Sequence, residues 1–315
     1  MRIVIFGTGG VGGYFGTRLA ESGHDVLFIA RGDHLERINS DGLILHSHLG
    51  DARLTDVRAA TAVPDGFAPD LVLMCVKTWQ LEAAASQLKP AIAAHSAVLP
   101  LLNGVEAPDV LAKAIGREHV LAGLCGIIAY IEAPGVVRHA AVDPFLKFGE
   151  LDNSRSSRAR DLQAVFDDTS GIDADVPDDI QAALWMKFLF IASTSGVGAV
   201  TRAPMGVFRS QPETRELLVQ SMEEIYRLAV ARGVALRDNA VERTMQMVDS
   251  LPPGGTSSMQ RDLMNGRQSE LEEQTGAVVR LSAEAGLSCP VNHYLYASLL
   301  PAERLARQEI TLPGE

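Results

Sequence analysis

A chain of 315 residues is long enough for two domains, each with its own core. Apolar residues make up 47% and charged residues 21%, a balance that excludes wholesale disorder. The 28 basic against 39 acidic residues give a net charge of −11, and no lysine- or arginine-rich run appears. Nucleic acid is therefore not expected as a partner, and an anionic cofactor needs a local positive site.

The chain opens with an apolar strand, Met1-Arg-Ile-Val-Ile-Phe6, that runs into Gly7-Thr8-Gly9-Gly10-Val11-Gly12. In a GxGxxG dinucleotide turn the first glycine makes the bend and the second lets backbone approach a pyrophosphate. The third lets the next helix pack on the strand. The helix predicted over residues 10–22 points its unpaired N–H groups and positive end at the phosphates. With 28 glycines in the chain the motif alone is weak, but its context is a βαβ unit. Val11, Phe15 and Leu19 share one helix face, and Gly23-His24 lead into a second strand over 25–30. A structural glycine turn in another α/β protein is the competing reading.

The end of the second strand selects the cofactor. NAD-binding sites place an Asp or Glu about 20 residues past the glycines to hold the ribose 2′-OH. Here that place is taken by Arg31, followed by Gly32 and Asp33. A guanidinium offers a 2′-phosphate bidentate, charge-assisted hydrogen bonds, each worth about 1.5–3 kcal/mol. NADPH is the cofactor expected. The alternative is that Arg31 is an ordinary loop residue and Asp33 reaches a 2′-OH.

Strands follow over 42–46, 70–76 and 96–102, the middle one apolar throughout, as suits burial on both faces. Helices are predicted over 79–88 and 107–115, the latter stopped by Gly116. Short strands near 120–123, 127–131, 135–139 and 145–148, with Ala133-Pro134-Gly135 as a turn, predict an antiparallel extension of the sheet. Beyond Asp152 come a capped helix to Phe166 and an acidic connector over 171–179. Helices are then predicted over 180–193, 214–232, 238–250, 259–266, 270–285 and 290–304. Breaks fall at Gly196, Pro204, Gly233, 252–255 and Gly286. The expected fold class is α/β: an N-terminal Rossmann dinucleotide-binding domain over 1–176, followed by an all-helical domain over 177–315. The helical domain would serve substrate and dimerisation, with a cleft between the two. Its apolar helices suit either a homodimer interface or one domain's core.

Cys75, Cys125 and Cys289 are odd in number and widely spaced, which fits free thiols in a reducing cytosol and gives no metal site. No signal peptide is expected before a strand that starts at residue 2, and the apolar stretch from Phe188 toward Val200 reads as too short to cross a bilayer. A cytoplasmic protein without a membrane partner is expected.

Candidate chemistry gathers at strand ends and in the helices. Lys77 and Asn103 each follow a sheet strand at the end where open α/β sheets bind ligands; a polar strand cap is the plainer alternative. Lys187 lies in a helix apolar nearly all round, so its amine either snorkels to water or projects into a pocket. Burial lowers a lysine pKa and makes it a better proton donor. Ser258 suits a helix N-cap, with Asp262 one turn on, and Glu270 suits the start of another helix.

Together these positions resemble the ketopantoate reductase (2-dehydropantoate 2-reductase) family over nearly the full chain. The matching pieces are the glycine turn, Arg31, Val76-Lys77-Thr78-Trp79-Gln80 and Leu102-Asn103-Gly104-Val105-Glu106. They continue with Leu184-Trp185-Met186-Lys187, Ser257-Ser258-Met259 with Asp262, Glu270, and Cys289-Pro290-Val291-Asn292. The resemblance implies NADPH-dependent reduction of ketopantoate or a related 2-oxo acid, as in pantothenate biosynthesis. It assigns cofactor contacts to Gly7, Thr8, Gly9, Gly10, Val11, Gly12, Arg31, Lys77 and Asn103. Lys187 would be the general acid, Asn103 would bridge cofactor and substrate, Ser258 would hold the substrate carboxylate, and Glu270 would stand near the reaction centre. Family members commonly carry Asn four and eight residues after the lysine, where this chain has Ile191 and Ser195. That departure leaves open a two-domain dehydrogenase for a different hydroxy acid. A non-catalytic NADPH-binding sensor is opposed by the presence of Lys187 and Glu270.

Overall fold

The structure, a computed structural model, describes residues 1–311. The chain forms two compact units, one of residues 1–102 with 106–180 and one of residues 103–105 with 181 onward.

The first unit begins β1 (Arg2–Phe6), α1 (Gly10–Glu21), β2 (Asp25–Ile29), α2 (Gly32–Asp41), β3 (Leu43–Ser47), β4 (Ala52–Leu54), β5 (Arg58–Ala60) and β6 (Leu71–Met74). It continues with α3 (Leu81–Leu88), β7 (Ala97–Pro100), α4 (Ala107–Ile115), β8 (Leu121–Ala133), β9 (Val136–Glu150), α5 (Ser157–Asp167) and β10 (Asp173–Asp175). Five parallel strands make the main sheet in the order β5-β2-β1-β6-β7. Successive residues of its central strands go to opposite cores: Ile3, Ile5, Leu71 and Leu73 to one, Val4, Phe6, Val72 and Met74 to the other. Burial on both faces is why these strands read as unbroken apolar runs.

The sequence suggested that the antiparallel segment extends that sheet, but apart from one isolated parallel bridge, Val98↔Val120, it belongs to a second one. β8 and β9 are one long hairpin, and β9 pairs in parallel with β3 in the register Ile44↔Val136 to Ser47↔His139. A second sheet, β10-β9-β3-β4 with β8 on β9, results. Register shifts around Gly126 to Ala129 bend β8, so that one strand reads as two short ones. α2 was not foreseen; Gly42, at φ +84°, ends it.

The second unit contains α6 (Ile180–Thr201, from its second residue), α7 (Met205–Phe208), α8 (Pro212–Ala231), α9 (Ala240–Ser250), α10 (Ser258–Met264), α11 (Thr275–Glu284) and α12 (Pro290–Ala306). α6 runs straight through the expected break at Gly196. A Cβ there would lie 3.2 Å from Leu295 Cδ1 and 3.3 Å from Thr275 Oγ1, so this glycine serves close packing rather than termination. By length and composition α6, 22 residues, is long and apolar enough to cross a membrane, contrary to expectation. Its apolar surface is instead largely inside the unit: Trp185, Phe188, Leu189 and Ala192 pack with Leu218, Met222 and Ile225 of α8, Val278 of α11 and Leu295 of α12.

Candidate active site

In the first unit the glycine turn joins β1 to α1. Gly7 sits at φ +102°, a conformation that L side chains rarely adopt, and a Cβ on Gly12 would lie 2.2 Å from the Gly7 carbonyl oxygen. These are the bend and the close helix-on-strand approach that a dinucleotide turn requires. Nothing lies within 4 Å of the Cβ position of Gly9, so that side of the turn is clear of protein. Two of the expected contacts are otherwise engaged. The Thr8 hydroxyl is buried and donates to the Ile29 carbonyl at 3.0 Å, while a Cβ on Gly10 would meet the Ala129 backbone of β8. Thr8, whose backbone N–H also donates to the Ile29 carbonyl at 2.9 Å, and Gly10 therefore brace the turn.

Arg31 directly precedes α2 in extended conformation and is exposed, with Nη2 3.5 Å from Gln87 Oε1. Asp33, in the first turn of α2, is exposed too, so both groups considered for the ribose stand beyond β2. Lys77 lies three residues beyond β6 and is half-buried, its Nζ 5.5 Å from the Trp79 ring centroid. Beside the turn, burial pushes the Cys75 thiol well up, with Cys125 adding to the rise, so it is an inert neighbour.

The second unit holds the other polar group. Asn103 and Gly104 cluster with it, although they follow β7. Gly104 takes φ +93°, and a Cβ there would lie 3.0 Å from the Glu273 carbonyl oxygen. Asn103 Nδ2 donates to Glu270 Oε2 at 2.9 Å, and Gln274 Nε2 reaches the same oxygen at 3.4 Å. Glu270 does not start a helix: residues 270–274 form a turn and α11 begins at Thr275. Burial pushes the Glu273 carboxyl up to about 7; its own backbone N–H and Arg307 act against the rise, and Glu270 and Glu272 add to it.

Lys187, midway along the first half of α6, is half-buried, as is Ile191 one turn on. Ser195 is fully buried and its hydroxyl has no hydrogen-bond partner. Ser258 is not the N-cap; Ser257 is, accepting from the Gln260 N–H at 3.0 Å, which leaves Ser258 half-buried as the first residue of α10. Of the expected residues, the structure thus joins Asn103 to Glu270 directly. Gln274 and Glu273 escaped notice because a Gln or Glu in a polar stretch carries no signal of burial. No cluster of three or more His, Cys, Asp or Glu side chains fit for a metal occurs among the described residues.

A parallel five-stranded sheet entered by this glycine turn, followed by a helical unit, defines a two-unit protein of the Rossmann type. A profile of the family described as ketopantoate reductase PanE/ApbA matches residues 3–153, and that of its C-terminal part matches residues 179–303. The chain belongs to the ketopantoate reductase family of oxidoreductases. It is 31% identical over 292 residues to the 2-dehydropantoate 2-reductase of Halobacterium salinarum, covering 92% of this chain and 95% of that protein. It is 30% identical over 301 residues to the uncharacterised oxidoreductase YkpB of Bacillus subtilis (strain 168), covering 95% and 98%. The crystal structure of a PanE/ApbA family ketopantoate reductase from Ralstonia eutropha JMP134 superimposes with a TM-score of 0.87 at 31% identity, covering 98% of this chain and 100% of that one.

Proposed function

We propose that this protein reduces 2-dehydropantoate, or a closely related 2-oxo acid, to the 2-hydroxy acid with NADPH. The observation that carries the reading is the pairing of half-buried Asn103 with buried Glu270 in a chain whose two halves both match the family. The glycine turn fits the cofactor, since the Gly9 side is clear and the Gly7 bend is in place. Gly7, Gly9, Gly12 and the N–H groups at the start of α1 would hold the pyrophosphate, and Arg31 the 2′-phosphate.

When bound, the reduced nicotinamide supplies the hydride. Lys187 gives its ammonium proton to the oxygen of the reduced carbonyl, stabilising negative charge that develops only in the transition state. Asn103, oriented by Glu270, offers its remaining amide groups to cofactor and substrate. Ser258 donates to the substrate carboxylate, and Lys77 adds positive charge near the cofactor. The amine of Lys187 is then reprotonated from water.

A second reading, a 2-oxo acid other than 2-dehydropantoate, has its own support. Ile191 presents a half-buried apolar side chain one turn from Lys187, and Ser195 is sealed inside the unit. A site that hydrogen-bonds a substrate hydroxyl discriminates strongly, whereas an apolar wall does not. Initial rates with NADPH and NADH over a panel of 2-oxo acids decide between the readings. Turnover of 2-dehydropantoate supports the first, turnover of apolar 2-oxo acids alone the second. Tight NADPH binding with no turnover across the panel overturns both.

A further inference from the structure

Glu270 sits in a turn that neither helix nor strand holds, yet Ser269 before it is tied to the Glu303 side chain and Leu271 after it to the Ser269 hydroxyl. Ser269 and Glu303 are both fully buried. Both carboxylate oxygens of Glu303, on α12, accept from the Ser269 backbone N–H at 3.1 Å, and Oε2 also accepts from the Ser269 hydroxyl at 2.5 Å. That hydroxyl oxygen in turn accepts from the Leu271 N–H at 3.2 Å. Arg307, the C-cap of α12 and four residues on from Glu303, completes the knot: Nε donates to Glu303 Oε1 at 2.6 Å and Nη2 to the Ser269 carbonyl at 3.3 Å.

A carboxylate shut away from water survives only with an ionised partner and satisfied lone pairs, and well-packed apolar residues commonly stabilise such a place as well or better. What the ionic arrangement adds is direction. Apolar contacts tolerate sliding, whereas five hydrogen bonds of this geometry fix where residues 269 and 271 stand. Between them Glu270 has little freedom, and Asn103 takes its orientation from Glu270. A displacement of about an ångström at a reacting group costs about 10²-fold in rate.

We propose that Glu303, held by Arg307 and acting through Ser269, is a positioning residue that sets the carboxylate of Glu270 for the reaction. This rests on the reading that Glu270 works at the reaction centre. The test uses the full chain and the best 2-oxo acid of the panel, comparing wild type with Glu303→Gln, Ser269→Ala, Glu270→Gln and the Glu270→Gln/Glu303→Gln double variant. The single variants Glu303→Gln and Ser269→Ala are expected to lower kcat about tenfold or more while NADPH Kd stays within about twofold. The double variant is expected to be no slower than Glu270→Gln alone, because positioning is worthless once its object is gone. A merely structural knot would slow both backgrounds by the same factor, and that result overturns the proposal. So does an unchanged kcat in Glu303→Gln and Ser269→Ala when Glu270→Gln is slow. A wild-type kcat in Glu270→Gln overturns the reading of Glu270 and the positioning proposal with it. Should Glu303→Gln not fold, Ser269→Ala, which deletes only the hydroxyl arm, carries the same comparison in both backgrounds.

Discussion

Asn103 Nδ2 and Glu270 Oε2 stand 2.9 Å apart, a hydrogen bond between residues separated by 167 positions in the chain. An ionised carboxylate only accepts, so the bond fixes which way the Asn103 amide faces and leaves its carbonyl and second N–H for ligands. Asn103→Asp would set two carboxylates against each other, and the pair would hold a proton to higher pH. At pH 7 kcat is expected to fall about tenfold or more, with partial recovery as the pH is lowered and the shared proton restores the bond. A pH–rate profile parallel to that of the wild type would remove the pair from the mechanism.

Lys187→Ala is expected to lower kcat by about 10² or more, the usual contribution of a positioned general acid. Affinity for NADPH, measured by quenching of its fluorescence, should change less than about twofold, because the glycine turn is untouched. An undiminished rate would exclude the amine as proton donor.

Arg31→Ala should raise the Kd for NADPH about tenfold to a hundredfold, corresponding to one lost charge-assisted contact, and leave that for NADH unchanged. Equal weakening of both cofactors would mean that Arg31 does not touch a 2′-phosphate, and would turn attention to the equally exposed Asp33.

Glu273 gives a pH signature of stability. The carboxyl ionises at its ordinary 4.5 in the unfolded chain but near 7 in the folded protein, where burial favours the neutral form. Between these values the unfolded state binds fewer protons, so stability falls as pH rises from 4.5 to about 7 and this group contributes no further change above. Glu273→Gln should therefore raise Tm at pH 8 by at least about 3 °C, with the gain vanishing near pH 4.5. A pH-independent difference in Tm would contradict the assignment.

Much of this was legible locally. The Gly7 bend, the Gly12 approach and α4 with its Gly116 stop depend on neighbours within a few residues, and the pattern of the sequence reports them directly. Longer relationships were not. Val136 pairs with Ile44 rather than lengthening the first sheet, a choice made by partners about ninety positions apart. Gly196 resembles a helix break until its contact with Leu295 is known. With two consecutive serines, only the phase of α10 decides that Ser257 caps and Ser258 does not. Glu303 and Arg307 have the spacing of a solvent-exposed helical ion pair; their union with Ser269 shows only once α12 is packed.

The most direct measurement is isotopic. With NADPH deuterated at C4 on the face used for transfer, each face tested in turn, wild-type protein and the best 2-oxo acid should yield a 2-hydroxy acid carrying one deuterium at C2, and Lys187→Ala should form it about 10² more slowly. A 2-hydroxy acid product without deuterium from either label, or bound NADPH that transfers nothing to any acid of the panel, would contradict the account.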